Sequence, residues 1–280
     1  MRAFHDPEAA ARAMERLQSQ TDLDLSPLWE VAFNSCPAPD TALSNLERWI
    51  TATSSPGTHL EHLAHMPRLA PLLALLLGAS QPLADALIQN PELASLVLDP
   101  GELALIPTRD GLEAEGRSLL APAESHSYRR DRLRFLKQRW IVPIAVNDLA
   151  GLWKPEAVWR ALSDLADALL TLALEATWTE FALEKELPEE CPVLIVAMGK
   201  LGGHKVNYSS DVDLVYLSLD DLDERTEKYV ARFCELLSRA VSERMGRGSL
   251  YRVDLRLRPF GGAGPIVRSM RAVEAYYELH

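Results

Sequence analysis

Near residue 190 the hydrophobic period of the chain switches from 3.6 to 2, and a fold must satisfy both patterns. Before the switch, apolar residues recur almost without interruption at helical spacing. Asp6-Pro7 opens a helix that Ala9 to Leu17 continue, and Pro39-Asp40 opens another with Leu43, Leu46 and Trp49 inward. Leu69, Leu72, Leu73, Leu75, Leu76 and Leu77 mark a buried helix, and Asn90-Pro91 caps the next, over 92–98. Segments 51–57, 100–101 and 107–111 break the pattern, and 116–127 is expected as a mobile connection. Two long helices follow, 129–149 and 155–187, with Pro143 as a kink or restart of the first. Beyond Pro192, 193–198 and 212–217 read as short buried strands, 224–245 as an amphipathic helix stopped by Gly246 and Gly248, and 250–258 as a third strand. The fold class is therefore α+β, a large helical region followed by a small mixed sheet.

The chemistry concentrates after the switch. Gly199-Lys-Leu-Gly-Gly-His forms a Gly-rich turn after the first strand, and Asp211 and Asp213 stand at the entry to the second. Strand side chains alternate, so these two carboxylates share a face and can hold a divalent cation through hard oxygen donors. The glycines let backbone N–H groups approach phosphate oxygens. The required spacing of a Walker A loop is absent. In 253–258 the period is two again. Val253, Leu255 and Leu257 face a core, while Asp254, Arg256 and Arg258 share the other face. Asp254 lies one strand–helix–strand unit beyond the aspartate pair, which would bring a third carboxylate into the same cleft. Arg256 and Arg258 would supply bidentate donors for phosphate.

Composition narrows the function. A formal net charge of -11 makes the chain a poor nonspecific partner for nucleic acid. Cys36, Cys191 and Cys234 are far apart and form no CxxC, giving neither a zinc site nor a disulfide framework. The N-terminus has no apolar signal region, and the apolar run 69–79 contains Pro71 and is too short for a bilayer, so no membrane partner is expected. His59, His62 and His65 recur every three residues without the further ligands a metal needs. The basic run Arg129, Arg130, Arg132, Arg134, Lys137 and Arg139 interleaves with Leu133, Phe135, Leu136 and Trp140. It reads as a snorkelling helix face, with a nucleic-acid patch or a protein-docking surface as the alternatives.

A Gly-Gly turn, an Asp-x-Asp and a third acid on a later strand resemble the polymerase-beta-like nucleotidyltransferase superfamily. GKLGG…NYSSDVDL and VDLRLRPFGGAGP are similar to the two signature segments of the glutamine synthetase adenylyltransferase/deadenylylase family. Residues 81–93, 133–139, 148–151 and 162–167 extend that likeness into the helical region. The resemblance implies three segments: a helical leader or docking region over 1–120, long helices packing on the catalytic domain over 121–190, and a nucleotidyltransferase domain over 191–280. It also implies a cytoplasmic regulator of nitrogen assimilation that acts on glutamine synthetase and answers to a PII-type signalling protein. Asp211, Asp213 and Asp254 would hold Mg²⁺, two ions in all. Lys200, Gly202, Gly203, Ser209, Ser210, Arg256 and Arg258 would bind the phosphates of ADP or ATP and inorganic phosphate.

One motif copy behind a helical leader is expected to be the N-terminal half of such a protein, truncated after His280. That half removes AMP from a tyrosine by phosphorolysis. The competing readings are the half that adds AMP from ATP and a non-catalytic docking module. Where relatives carry a glutamate in the turn this chain has Lys205, which either contacts phosphate or is solvated.

Overall fold

A computed structural model describes residues 4–34, 36–122 and 125–279. The chain divides into two compact units, Met1–Leu105 with Gln138–Pro155, and Ile106–Lys137 with Glu156–His280. These limits differ from the segments 1–120, 121–190 and 191–280 expected above.

The first unit holds α1 (Pro7–Gln18), α2 (Ser26–Asn34), α3 (Pro39–Ala52), α4 (Pro56–His65), α5 (Ala70–Ala79), α6 (Gln81–Gln89), α7 (Ala94–Leu98) and α8 (Pro100–Ala104). Prolines sit in the first turn of most of them, where the missing N–H has no intrahelical role. Asp6 caps α1 by accepting from the Ala9 N–H at 2.9 Å. Phe33, Trp49, Leu60, Leu76 and Leu77 are fully buried among these helices. Asn45 donates to the Leu77 carbonyl at 2.9 Å, a buried polar group satisfied across helices. Helix α2 had no counterpart in the sequence reading. Asn90 makes no side-chain cap and donates instead to Ala86 O and Gln138 Oε1. No single described helix is long and apolar enough to cross a membrane.

Helix α10 (His126–Leu149) contributes to both units, and Pro143 sits inside it without ending it. Asn147 Nδ2 donates to the Pro143 carbonyl and to Leu103 O, both at 2.9 Å, tying the helix to α8 in the first unit.

The second unit begins with α9 (Arg109–Leu120), so residues 116–120 are helical rather than connecting, while 123–124 lie outside the described residues. Thr108 caps α9 by accepting from Gly111 N. This helix joins the sheet-bearing unit because Gly116 lets it close on α11 (Pro155–Lys185). A Cβ at Gly116 would lie 2.2 Å from Leu172 Cδ1 and 3.0 Å from Leu136 Cδ2. Gly116→Val is therefore expected to destabilise the unit by about 1–3 kcal/mol through overpacking, read as a lower denaturant midpoint at unchanged m.

The sheet is built on β2 (Val212–Ser218), whose residues other than Asp213 are buried. β1 (Val193–Ala197) pairs antiparallel along one edge, Val193 against Ser218 through Ala197 against Leu214. The other edge is shared by two short parallel strands. β3 (Val253–Asp254) lies against Val212 and Asp213, and β4 (Val267–Ser269) lies against Tyr216 to Ser218. The strand expected over 250–258 thus lasts two residues. From Arg256 the chain turns, and it returns to β2 only at Val267.

Between β2 and β3 runs α13 (Glu224–Ser242), capped by Asp223, which accepts from Arg225 N and Thr226 N. Phe233 on α13 meets Trp178 of α11 edge-on at 5.0 Å in the core. A one-turn helix, α12 (Gly199–Gly202), follows β1, and α14 (Met270–Leu279) follows β4. A mixed four-stranded sheet in a largely helical chain is the α+β class expected.

The basic run is absorbed within the units. Arg129 pairs with Glu180 and Arg130 with Glu243, Arg132 lies over the Phe135 ring, and Arg134 is buried. Lys137 is half-buried. Its Nζ donates to the Leu250 carbonyl and lies 4.4 Å from the Tyr251 ring centre. Loss of hydration, with Arg134 nearby, pushes its pKa down to about 8.

Candidate active site

Parallel pairing of β2 and β3 places Asp213 directly beside Asp254. Register partners on neighbouring strands point to the same face, and Asp211, two residues before Asp213, extends the row. The next pair down the row is Asp211 with Arg252. Arg252 Nε donates to Asp211 Oδ1, and its Nη2 donates to the Ser209 carbonyl at 2.8 Å. At the other end Arg256 folds back on Asp254. Its Nε reaches Oδ1 at 3.0 Å and Oδ2 at 2.8 Å, its Nη2 donates to Oδ2, and its backbone N–H reaches Oδ1 at 2.8 Å. Three carboxylates therefore face two guanidinium groups. Asp213 alone of the three makes no ion pair or side-chain hydrogen bond among the described residues.

The Gly-rich turn abuts this row. Gly199 has φ +54°, and a Cβ there would lie 2.2 Å from Asp213 Oδ2. The turn is held from the strand side by Met198 N donating to Asp213 O at 2.8 Å, and from α11 by Ser163 Oγ accepting from Val206 N at 3.3 Å. Gly202 approaches β1 so closely that a Cβ would meet Ala197 O at 2.5 Å. Gly199→Ala is expected to destabilise the chain by about 1–2 kcal/mol from the left-handed backbone alone. It should also displace the Asp213 carboxylate, so turnover falls more than stability explains. Paired thermal melts and rate measurements check this.

The remaining candidates divide. Gly202 N donates to Met198 O and Gly203 N to Gly199 O, so these two N–H groups close the α12 turn and are not presented to a phosphate. Ser210 Oγ donates to Asn207 Oδ1 and accepts from Asn207 N, shaping the 207–210 turn. Ser209 is exposed beside Asp211, and Lys200 and Lys205 are exposed on the Gly-rich turn. Arg258 is taken away from the row because β3 ends before it. Its guanidinium donates to the carbonyls of Leu255, Gly262 and Gly264 and braces the 255–264 loop. The alternation that put Arg258 on the same strand face as Asp254 and Arg256 thus ends with β3.

Two contributors escaped the sequence reading. Gly199 opens the motif, but its contact with Asp213 becomes visible only in three dimensions. Arg252 was legible, since Arg252, Asp254 and Arg256 alternate on one strand face.

The donor set and the Gly199 cradle fit a divalent cation of the Mg²⁺ type, which prefers carboxylate oxygens at about 2.0–2.1 Å. Among the described residues, no three His, Cys, Asp or Glu side chains are gathered around one point as they stand. The cause is local, because Asp211 and Asp254 are turned to their arginines. The Arg256 hydrogen bonds hold the Asp254 carboxyl down at about 2. A depressed folded-state pKa stabilises the fold above the ordinary carboxylate range, and that contribution is lost as pH falls toward 2. Arg256→Gln, which keeps the backbone N–H, should raise Asp254 toward the ordinary range and move this loss to higher pH, as a carboxyl-carbon NMR titration of metal-free protein would read.

Residues 71–280 match the family described as glutamate-ammonia ligase adenylyltransferase. The chain is 31% identical over 276 residues to the bifunctional glutamine synthetase adenylyltransferase/adenylyl-removing enzyme of Brucella melitensis, covering 95% of this chain and 28% of that protein. The protein of the same name from Mesorhizobium japonicum is 32% identical over 276 residues, with the same coverage. That from Aromatoleum aromaticum is 32% identical over 261 residues, covering 93% of this chain and 27% of the relative. The chain thus spans little more than a quarter of the length of these relatives.

Proposed function

We propose, for a chain that belongs to the glutamate-ammonia ligase adenylyltransferase family, that the Asp211–Asp213–Asp254 row carries out AMP transfer on glutamine synthetase. The observation that carries this reading is the side-by-side register of Asp213 and Asp254 over the Gly199 turn. A bound Mg²⁺ pair would neutralise charge at the transferring phosphorus and lower the pKa of an attacking oxygen. The chain's own residues do the rest. Gly199 keeps space open at Asp213, and Asp254 stands opposite. Ser209, Lys200 and Arg256 would grip phosphate oxygens.

We take removal of AMP as the direction. An oxygen of inorganic phosphate attacks the AMP phosphorus, the phosphorus–oxygen bond to the tyrosine breaks, and the phenolate takes up a proton. The products are ADP and unmodified tyrosine. This setting implies a cytoplasmic protein, with glutamine synthetase as substrate and a PII-type protein as a regulatory partner.

Incubation with AMP-modified glutamine synthetase, Mg²⁺ and phosphate should yield ADP. Pyrophosphate formed from ATP and unmodified glutamine synthetase would instead assign the adding direction. Neither product, with glutamine synthetase still bound, would assign a docking module.

A further inference from the structure

We propose that Arg252 and Arg256 are built-in counter-cations of the carboxylate row, which a divalent cation displaces and which then grip nucleotide phosphate, so that metal and nucleotide load together. This rests on the reading of the row as a cation site.

The two arginines occupy the oxygens a metal would need. Arg256 engages both oxygens of Asp254 through its side chain and Oδ1 again through its backbone N–H. Arg252 engages Asp211. Only Asp213 is left open. A metal arriving alone must therefore break an ion pair for each further aspartate it recruits.

The layering favours exchange. The Asp254 side chain is 14% exposed whereas that of Arg256 is 82% exposed, and Arg252 is 71% exposed against 45% for Asp211. The guanidinium groups lie on the solvent side of the carboxylates, where ion pairs are weak and a long side chain can swing out freely. A released guanidinium is a planar fork that matches phosphate as well as carboxylate. A nucleotide diphosphate supplies the anionic oxygens that the arginines lose to the metal. Arg252 also holds the Ser209 carbonyl, so its exchange is coupled to the 207–211 turn that carries Asp211. Arg258 donates instead to the carbonyls of the 255–264 loop.

The test is a titration of Mn²⁺ alone, followed by electron paramagnetic resonance, and a titration of ADP in saturating Mn²⁺. Wild type, Arg252→Gln, Arg256→Gln and Asp213→Asn are compared, with circular dichroism confirming the fold. Both arginine variants should bind Mn²⁺ alone more tightly, by about 5- to 10-fold for Arg256→Gln, and bind ADP more weakly by a similar factor. Arg256→Lys, which keeps the charge without the fork, should lose ADP affinity while Mn²⁺ binding stays near wild type. Unchanged or weaker Mn²⁺ binding in both Gln variants, with binding lost in Asp213→Asn, overturns the exchange and leaves the cation site standing. Mn²⁺ binding that survives Asp213→Asn overturns the cation site itself.

Discussion

Asp213→Asn is expected to lower AMP transfer at least about a thousandfold, which corresponds to about 4 kcal/mol of lost transition-state stabilisation. The effect is large because Asp213 is the hub of the row. It stands beside Asp254 in register, touches the Gly199 turn and is the carboxylate that no arginine occupies. Asparagine has nearly the same shape but cannot offer a charged oxygen. It also relieves repulsion between neighbouring carboxylates, so the thermal midpoint should hold or rise. Asp211→Asn differs in this respect, because it breaks the Arg252 pair and loosens the 207–211 turn. A steady-state assay beside a melting curve separates the two. Activity of Asp213→Asn within a few-fold of wild type would contradict its assignment.

The largest effect on stability is expected at Arg134. It is 1% exposed and makes no ion pair among the described residues. Nε donates to Gly248 O at 2.8 Å and Nη1 to Arg130 O at 2.8 Å. Nη2 donates to Ala240 O at 3.1 Å and Glu243 O at 2.6 Å. Ala240 and Glu243 lie at the C-terminal end of α13, where carbonyls lack intrahelical donors and a cation is favoured. Gly248, with φ +86°, closes the turn that leads from α13 toward β3. Arg134 thus fixes the connection that delivers Asp254 to Asp213. Burial lowers its pKa, yet a guanidinium remains charged at any working pH. Arg134→Leu would leave several carbonyls unsatisfied and is expected to reduce stability by about 3–5 kcal/mol. Urea unfolding checks this, and a change below about 1 kcal/mol would show that water replaces the clamp.

What the sequence made legible follows from how local each signal is. The periods of 155–187 and 224–245 are long and amphipathic, so α11 and α13 appear nearly where expected, and β1 and β2 are bounded by turn residues. The parallel neighbour of β2 also lies where the strand–helix–strand order put it. Other features depend on contacts remote in sequence. Arg258 alternates correctly with Asp254 and Arg256, but the chain leaves the sheet after Asp254 and Arg258 closes on Gly264. Gly264 is packed so tightly against this loop that a Cβ would lie 2.2 Å from Pro259 O. β4 is three residues long and is defined by its partner rather than by its own pattern. Gly202 and Gly203 looked like phosphate donors because glycine permits close approach. What Gly202 approaches is Ala197, and the N–H groups of both glycines close the α12 turn. Gly116 carries a loop signal in sequence, yet it lies within α9, where Leu172 leaves no room for a Cβ. The basic run 129–139 looked like a surface because its partners, at 180, 240–250 and 102, are distant in the chain.

The proposed seat of the divalent cation is Asp213 with Asp254, brought together by the parallel pairing of β2 with β3 beside the Gly199 turn. Anomalous scattering from Mn²⁺ in crystals of the chain with ADP addresses it most directly. The expected result is a peak within about 2.0–2.6 Å of carboxylate oxygens of both residues, with the Arg256 fork moved from Asp254 to phosphate. A peak elsewhere, or none while Arg256 still holds Asp254, would contradict it.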